Sequence, residues 1–297
     1  MNPVIAALRA EGIAALENAP MSERTTLRVG GPAKALVEAA SAREIALARE
    51  IAAAHGQPVL IVGNGSNLLV RDAGFDGVVI HIGEKMNGVR REGDVIYAGA
   101  GAMLASVAMA AQRAGLSGME PLSGIPGTCG GAVYMNAGAY GGEIAGVLRE
   151  ATLLAPDGQV KTVPAAELGL GYRHSRMMET GEIVVEAAFA LAPGDANAIA
   201  AAMRDYAARR REKQPVTLPS AGSFFKRPEG RFAGALIEGA GLKGLRVGGA
   251  EVSTLHAGFL VNVGGATAQD FLDLSAQVIE RVRQTSGVTL EPEVQIV

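Results

Sequence analysis

Two glycine-rich segments of this chain have the residue types that bind phosphate groups. Residues 63–67 read Gly-Asn-Gly-Ser-Asn and directly follow the apolar run Pro58–Val62. Residues 124–131 contain four glycines. Turns of this composition leave several backbone N–H groups uncovered, and such groups can bind a diphosphate. Either segment alone could be an ordinary turn, but the two together predict a dinucleotide site.

A third glycine-rich segment, residues 239–244, matches the pattern G-x-G-x-x-G. A Rossmann fingerprint requires a strand before this pattern and a helix after it. Here Phe232–Glu238 is predicted to be a helix, and residues 246–249 do not resemble a helix start. We therefore interpret the segment as the end of a helix.

The composition excludes several classes of function. The 297 residues carry a net charge of −3, no tryptophan and only 4% aromatic residues, which disfavours a nucleic-acid-binding surface. The single cysteine, Cys129, allows no disulfide within the chain, which fits a reducing compartment. The four histidines are scattered, so no metal site is predicted. Residues 1–19 do not resemble a signal peptide, and no run of about 18 apolar residues occurs. A cytoplasmic location without membrane insertion is therefore expected.

Hydrophobic periodicity and capping signals predict an α+β chain. A helix is expected over 41–54, because Ser41 and Glu44 form a capping box. Residues 115–142 are expected to form one long functional loop. Further helices are predicted over 102–114, 195–212, 232–238 and 268–285. Strands are predicted over 58–62, 68–70, 78–80, 95–98, 147–154, 159–163, 182–191, 256–261 and 288–297. The turn residues Pro156-Asp157-Gly158 predict that 147–154 and 159–163 form a hairpin.

Six segments resemble, in the same order, motifs of the UDP-N-acetylenolpyruvoylglucosamine reductase family. The motifs lie at residues 26–33, 63–67, 118–142, 171–175, 221–226 and 290–294. The similarity extends from about residue 25 to residue 297, and the shorter, second type of the family is the more similar one.

The resemblance implies a fold with a two-subdomain FAD-binding region of the vanillyl-alcohol-oxidase-like (PCMH) type and a C-terminal α+β substrate domain. The expected boundaries are an N-terminal helical segment at 1–22, the FAD-binding region at 23–193, a connecting helix at 194–213 and the substrate domain at 214–297. The two subdomains would cover about 23–83 and 84–193.

The resemblance also implies an activity in peptidoglycan precursor synthesis. UDP-N-acetylglucosamine enolpyruvate, a UDP-sugar, would be reduced to UDP-N-acetylmuramate, with hydride passing from NADPH by way of non-covalent FAD to C3 and a proton going to C2. No obligatory protein partner is implied. Cys129 is interpreted as a small loop filler; the alternative is a covalent link to the flavin. The expected FAD-binding residues are Gly63, Asn64, Gly65, Ser66, Asn67, Ser123, Gly124, Pro126, Gly127, Thr128, Gly131, Asn136 and Gly138.

The resemblance assigns the charge and proton chemistry to three residues. Arg173, a permanently charged and forked donor, would stabilise the developing negative charge. Ser223 aligns with the proton donor to C2. Glu293 aligns with the third active-site residue and would either assist protonation or polarise the surroundings of the substrate carboxylate. Glu291 would share its face if this segment forms a strand. Without the resemblance, Arg173 could belong to a surface ion pair, Ser223 could be a turn residue, and Glu293 could lie on a solvated strand edge.

Cations are also needed for the diphosphate of the substrate. Besides Arg173, the candidates are Lys213, Lys226 and Arg227. Arg227 stands where many relatives have asparagine, so the contact made there in those relatives does not carry over directly. Two other functions stay open at this stage. One is an oxidase or dehydrogenase of the same fold acting on another small alcohol, and the other is a nucleotide-binding module without catalysis.

Overall fold

The computed structural model describes residues 2–297, which form two compact units. The first unit consists of residues 2–17, 35–64 and 77–209. The second consists of residues 18–34, 65–76 and 210–297. Each unit is therefore assembled from three separate stretches of the chain.

The first unit contains a five-stranded antiparallel sheet. Its strand order is Val160–Pro164, Leu148–Leu154, Ile183–Ala190, Val95–Gly99, Val89–Glu92. The first two strands form the hairpin predicted from Pro156-Asp157-Gly158. Gly158 has φ +84°, a value that glycine adopts easily, and Asp157 accepts a hydrogen bond from the N–H of Gln159 at 3.0 Å. The predicted hairpin is confirmed.

A four-stranded sheet has the order Ala15–Pro20, Pro32–Glu38, Phe75–His81, Val59–Val62, and its last two strands are parallel. The helices that begin within the first unit are Pro3–Ala10, Ala42–Ala54, Leu104–Arg113, Cys129–Tyr134, Met177–Thr180 and Ala196–Lys213. Short strand pairs lie at Leu116–Ser117 with Ala192–Pro193, and at Gly138–Ala139 with Gly142–Glu143. Within the predicted helical segment 1–22, the α-helix covers only Pro3–Ala10.

The second unit has a four-stranded antiparallel sheet and two helices. The sheet order is Ser220–Ser223, Phe259–Asn262, Ala250–Val252, Arg246–Val247. The helices are Ala233–Gly239 and Ala268–Ser286. The longer helix begins at a reciprocal capping box of Thr267 and Asp270 and ends at Gly287, which has φ +71°. Both predicted helices are confirmed.

Two predicted elements differ from the structure, and several observed strands were not predicted. The expected strand over 288–297 is wrong except for Gln295–Ile296, which pairs in parallel with Leu68–Leu69. The preceding segment makes only a single isolated bridge, between Phe225 and Pro292. The expected continuous loop at 115–142 contains the helix Cys129–Tyr134, which is capped by Thr128. The strand Pro32–Glu38 was not predicted.

A buried carboxylate stabilises the first unit. The side chain of Glu182 is 4% exposed and accepts hydrogen bonds from Arg176 at 3.0 Å and from Thr180 at 2.9 Å, and it pairs with Lys161 at 2.8 Å. Burial alone would raise the pKa of Glu182, but these donors outweigh it and lower the pKa to about 2. The ionised carboxylate therefore stabilises the folded state.

We expect Glu182→Gln to destabilise the protein by about 2 kcal/mol at pH 7, because the amide cannot replace a charged acceptor. Since the pKa in the folded state lies below the ordinary value of 4.5, this contribution is lost as the pH falls from 4.5 toward 2. Urea unfolding of both proteins from pH 7 to pH 3 measures the difference. Glu92→Gln, at an exposed ion pair, is the control, and an equal loss in both variants would contradict the prediction.

Within residues 2–297, none of the helices combines the length and the apolar content needed to cross a bilayer.

Candidate active site

The two glycine-rich segments predicted to act together are in contact in the first unit. The side-chain amide of Asn64 donates to the carbonyl oxygen of Pro126 at 2.6 Å. A Cβ atom built on Gly63 would lie 2.2 Å from Oγ1 of Thr128, so only glycine fits at this position. Residues 63–64 and 126–128 therefore form one continuous backbone surface.

This surface has the donors that a dinucleotide cofactor requires. The backbone N–H groups of Asn64, Gly127 and Thr128 donate to no other group within the described chain. Unused N–H groups in glycine-lined turns fit the oxygens of a diphosphate. The residues present thus fit FAD. Thr128 also accepts from the N–H of Gly131 at 3.5 Å, and the hydroxyl of Ser123 donates to the carbonyl of Glu120 at 2.7 Å.

The remainder of the first loop, residues 65–67, belongs to the second unit. Gly65 has φ +60°, and its carbonyl accepts from the N–H of Thr26 at 3.3 Å. The amide of Asn67 donates to the carbonyl of Glu293 at 3.2 Å. These bonds join three of the six motifs. Ser66 is half-buried in the same turn.

Two further cofactor candidates follow the helix Cys129–Tyr134. Gly138 lies in the short hairpin with Gly142–Glu143, where a Cβ would lie 2.8 Å from the carbonyl oxygen of Gly142. Asn136 is only 1% exposed, and both ends of its side-chain amide are bonded within the protein. Gly138 is thus required by packing, while the Asn136 side chain has little surface to offer a ligand.

Cys129 is fully buried, and its thiol contacts the carbonyl oxygen of Ala98 at 3.7 Å. Burial raises the pKa of this thiol to about 12, so it stays protonated at neutral pH. A protonated and inaccessible thiol is a poor nucleophile. These properties favour the interpretation of Cys129 as a loop filler.

We expect Cys129→Ala to bind FAD as the unchanged protein does, since no bond to the flavin is lost. In the unchanged protein the thiol should react with a disulfide reagent only after denaturation. Absorbance at 450 nm after gel filtration and thiol titration measure the two effects. Flavin fluorescence that stays with the unchanged chain on a denaturing gel, and disappears in Cys129→Ala, would overturn this expectation.

Arg173 lies at the tip of a tight turn in the first unit. The N–H of Gly171 donates to the carbonyl of His174 at 3.1 Å, and the N–H of His174 donates back at 3.2 Å. Arg173 has φ +51°, a left-handed conformation that non-glycine residues seldom adopt. Its guanidinium carbon lies 5.5 Å from the centre of the Tyr172 ring, which is itself exposed. The turn therefore presents two large side chains on a constrained backbone.

The ring of His174 stabilises this turn through two contacts. Its Nδ1 lies 3.1 Å from the carbonyl oxygen of Gly169, and its Nε2 lies 3.2 Å from Oε1 of Glu179. The carbonyl of Gly169 and then the carboxylate of Glu179 raise the pKa of His174. Only the doubly protonated ring can donate to both acceptors.

Ser223 and Glu293 lie on neighbouring segments of the second unit. The N–H of Glu293 donates to the carbonyl of Phe224 at 2.8 Å, and Phe225 forms a bridge with Pro292. Ser223 is exposed, whereas Phe224 beside it is fully buried and stacks on Phe271 at 6.5 Å. The buried phenylalanines thus fix the backbone that carries the exposed hydroxyl.

Apart from Arg173, the predicted substrate cations belong to the second unit. Lys226 pairs with Glu291 at 3.2 Å. The guanidinium carbon of Arg227 lies 4.5 Å from the centre of the exposed Phe232 ring. Lys213 is the exposed last residue of the helix Ala196–Lys213. Glu291 is thus occupied by an ion pair.

Residues 33–164 match the FAD binding domain family, and residues 214–297 match the C-terminal domain family of UDP-N-acetylenolpyruvoylglucosamine reductase. A UDP-N-acetylenolpyruvoylglucosamine reductase of Streptococcus pyogenes is 48% identical over 96% of this chain and 97% of the relative. This chain belongs to the UDP-N-acetylenolpyruvoylglucosamine reductase family.

The crystal structure of UDP-N-acetylenolpyruvylglucosamine reductase from Thermus caldophilus superposes with a TM-score of 0.81 at 37% identity, covering 96% of this chain and 98% of that one. A Physcomitrella patens BBE-like 1 variant shares the fold alone, with a TM-score of 0.50 and 20% identity over 63% of this chain and 44% of that one. The predicted α+β fold with a PCMH-type FAD-binding region is confirmed. As a member of the reductase family with an FAD-binding domain, the protein is an FAD-dependent oxidoreductase.

Two residues of the site were missed from the sequence. Ser175 is fully buried, and its hydroxyl donates to the carbonyl of Tyr134 at 2.6 Å. Thr26 donates to the carbonyl of Ser220 at 2.6 Å, so it holds the strand that carries Ser223. Both lie inside the recognised motifs. In the sequence Ser175 stands beside Arg176, whereas Thr26 has no charged neighbour that would mark it.

Proposed function

We propose that this oxidoreductase reduces UDP-N-acetylglucosamine enolpyruvate to UDP-N-acetylmuramate at the expense of NADPH. The observation that supports the proposal is the hydrogen bond from the N–H of Glu293 to the carbonyl of Phe224, because it joins the segment of the candidate proton donor Ser223 to the segment that carries the candidate carboxylate. Family membership supplies the class of substrate. We place the activity in the cytoplasm, in peptidoglycan precursor synthesis.

Bound FAD would supply hydride, taken from NADPH, to C3 of the enolpyruvyl group. The surface formed by residues 63–64 and 126–128 would hold its diphosphate without a covalent bond. Negative charge then builds up on the substrate carboxylate and its α-carbon. Arg173 would stabilise this charge, because its fork can donate two parallel hydrogen bonds to a carboxylate.

Ser223 would deliver a proton to C2. A serine hydroxyl is a weak acid, but the carbanion-like centre at C2 is strongly basic, which makes the transfer favourable. Glu293 would assist by orienting the hydroxyl and by polarising the region around the substrate carboxylate. The exposure of Ser223 fits a group that must reach a ligand.

Lys226, Arg227 and Lys213 would bind the diphosphate of the UDP-sugar. Lys226 would exchange its ion pair with Glu291 for the phosphate oxygens. Both partners are exposed, so the exchange costs little. No obligatory protein partner is required by this chemistry.

Turnover of the two half-reactions tests the proposal. We expect the purified protein to show flavin absorbance that NADPH bleaches under anaerobic conditions. Addition of the enolpyruvyl sugar nucleotide should restore the absorbance and yield the lactyl ether product. Bleaching without restoration would favour an oxidase or dehydrogenase of another small alcohol. Absence of flavin absorbance after reconstitution with FAD would favour a nucleotide-binding module.

A further inference from the structure

Asn136 connects the helix Cys129–Tyr134 to the turn that carries Arg173. Its Nδ2 donates to the carbonyl oxygen of Gly171 at 2.9 Å, and its Oδ1 accepts from the N–H of Ala145 at 2.9 Å. Asn136 is only 1% exposed, so its own end of each bond lies away from water. Buried amides that use both ends fix the separation of the segments they join.

Ser175 provides a second connection between the same two segments. Its hydroxyl, which is fully buried, donates to the carbonyl oxygen of Tyr134 at 2.6 Å. Gly171 and Ser175 flank the Arg173 turn, and Tyr134 and Asn136 flank the end of the helix. The turn is therefore attached to the helix on both sides.

The attachment gives Arg173 a constrained backbone. The carbonyl of Gly171 accepts both from Asn136 and from the N–H of His174, and this second bond closes the turn. Arg173 itself has φ +51°, and Asn136 has φ +41°. Left-handed residues persist where the surrounding bonds over-determine them, and such strain is concentrated at functional sites.

The same helix begins in the proposed cofactor loop. Thr128, its capping residue, lies against Gly63 and belongs to the surface that fits the diphosphate of FAD. The chain of contacts thus runs from residue 63 through the helix and Asn136 to the Arg173 turn.

We propose that Asn136 and Ser175 are positioning residues that fix the Arg173 turn relative to the cofactor loop, and that Asn136 does not contact the cofactor through its side chain. The inference rests on the proposed role of Arg173 in the second half-reaction. Tight placement of a charged donor matters because a displacement of about 1 Å can slow a reaction roughly 100-fold.

The test uses Asn136→Asp and Ser175→Ala in the FAD-loaded protein. Aspartate at position 136 keeps the acceptor for the N–H of Ala145 but places a carboxylate oxygen against the carbonyl oxygen of Gly171. Alanine at position 175 removes the hydrogen bond to the carbonyl of Tyr134. We expect each variant to slow flavin reoxidation by the enolpyruvyl substrate at least about tenfold. Flavin reduction by NADPH should stay within about twofold of the unchanged protein, since the loop that binds FAD is not altered.

Two further measurements separate positioning from general destabilisation. Hydrogen exchange in the peptide spanning 169–176 should be faster in both variants before any substrate is added. In an Arg173→Ala background, Asn136→Asp should cause no additional slowing of reoxidation, because the group it positions is absent. If Asn136→Asp folds poorly, both measurements are made on Ser175→Ala instead.

Ser275→Ala is the matched control. Ser275 is also buried, and its hydroxyl also donates to a backbone carbonyl, that of Leu272, at 2.9 Å. This variant should leave both half-reactions unchanged. Equal slowing of both half-reactions in the Asn136 and Ser175 variants, or full additivity with Arg173→Ala, would overturn the inference. If Arg173→Ala itself reoxidises at the normal rate, the proposed function of Arg173 fails instead.

Discussion

Ser223→Ala is expected to slow flavin reoxidation by the enolpyruvyl sugar nucleotide about 10²- to 10⁴-fold, the range typical of losing a general acid. Flavin reduction by NADPH should be nearly unchanged, because no proton is delivered to the substrate in that half-reaction. The fold should also be kept. Ser223 is exposed, and the buried Phe224 and Phe225 hold the strand in place. Anaerobic stopped-flow absorbance at 450 nm measures both half-reactions.

Ser220→Ala is the control for this prediction. Ser220 begins the same strand, and it is the backbone carbonyl of Ser220, not its hydroxyl, that accepts from Thr26. Removal of the Ser220 hydroxyl should therefore change the rate of neither half-reaction. Equal slowing of reduction and reoxidation in Ser223→Ala would remove Ser223 as the proton donor. In that case the hydroxyl would be needed for flavin placement.

The elements that could be predicted from the sequence have signals within a few residues of their ends. Thr267 and Gly287 mark the boundaries of the helix Ala268–Ser286, and Asp157-Gly158 marks the turn of a hairpin. In each case the backbone conformation is decided by one side chain or by the absence of one. Such local devices are the same in any tertiary context.

The elements that could not be predicted depend on distant partners. Pro32–Glu38 is a strand because it pairs with segments that come both before it and much later in the chain. The helix Cys129–Tyr134 contains two glycines, which indicate a loop, yet packing of Cys129, Ala132 and Val133 in the core makes it helical. Helix propensity is weak enough for tertiary packing to override it.

The candidate site shows the same division. Gly63 and Thr128 belong to motifs that are visible in the sequence, but the fold alone brings Oγ1 of Thr128 so close to Gly63 that a Cβ has no room there. Asn136 lies in a recognised motif, but its partner Gly171 is 35 residues away. In the sequence, an asparagine whose amide is buried by packing looks the same as one whose amide binds a cofactor. Only the bonds to Gly171 and Ala145 distinguish them.

Arg173→Lys is expected to be nearly as damaging as Arg173→Ala, with reoxidation slowed about 10²- to 10³-fold in both, a cost typical of removing one charge-stabilising donor. A lysine ammonium carries the same charge but cannot donate two parallel hydrogen bonds to a carboxylate. Flavin reduction by NADPH should be unaffected. The same stopped-flow measurement, with the KM for the sugar nucleotide, tests this.

The comparison of lysine with alanine isolates the side chain, because both replacements have a Cβ and meet the same strain at φ +51°. If the loss of activity came from backbone strain, both variants would also lose thermal stability to the same extent. If it came from the missing forked donor, their thermal stability would stay unchanged. Arg149→Lys, at an exposed pair with Glu150, is the control and should keep full activity. Activity of Arg173→Lys within about threefold of the unchanged protein would show that charge alone suffices, since a forked donor is worth more than this factor. The bidentate contact would then have to be abandoned, and Arg173 would remain only as a point charge.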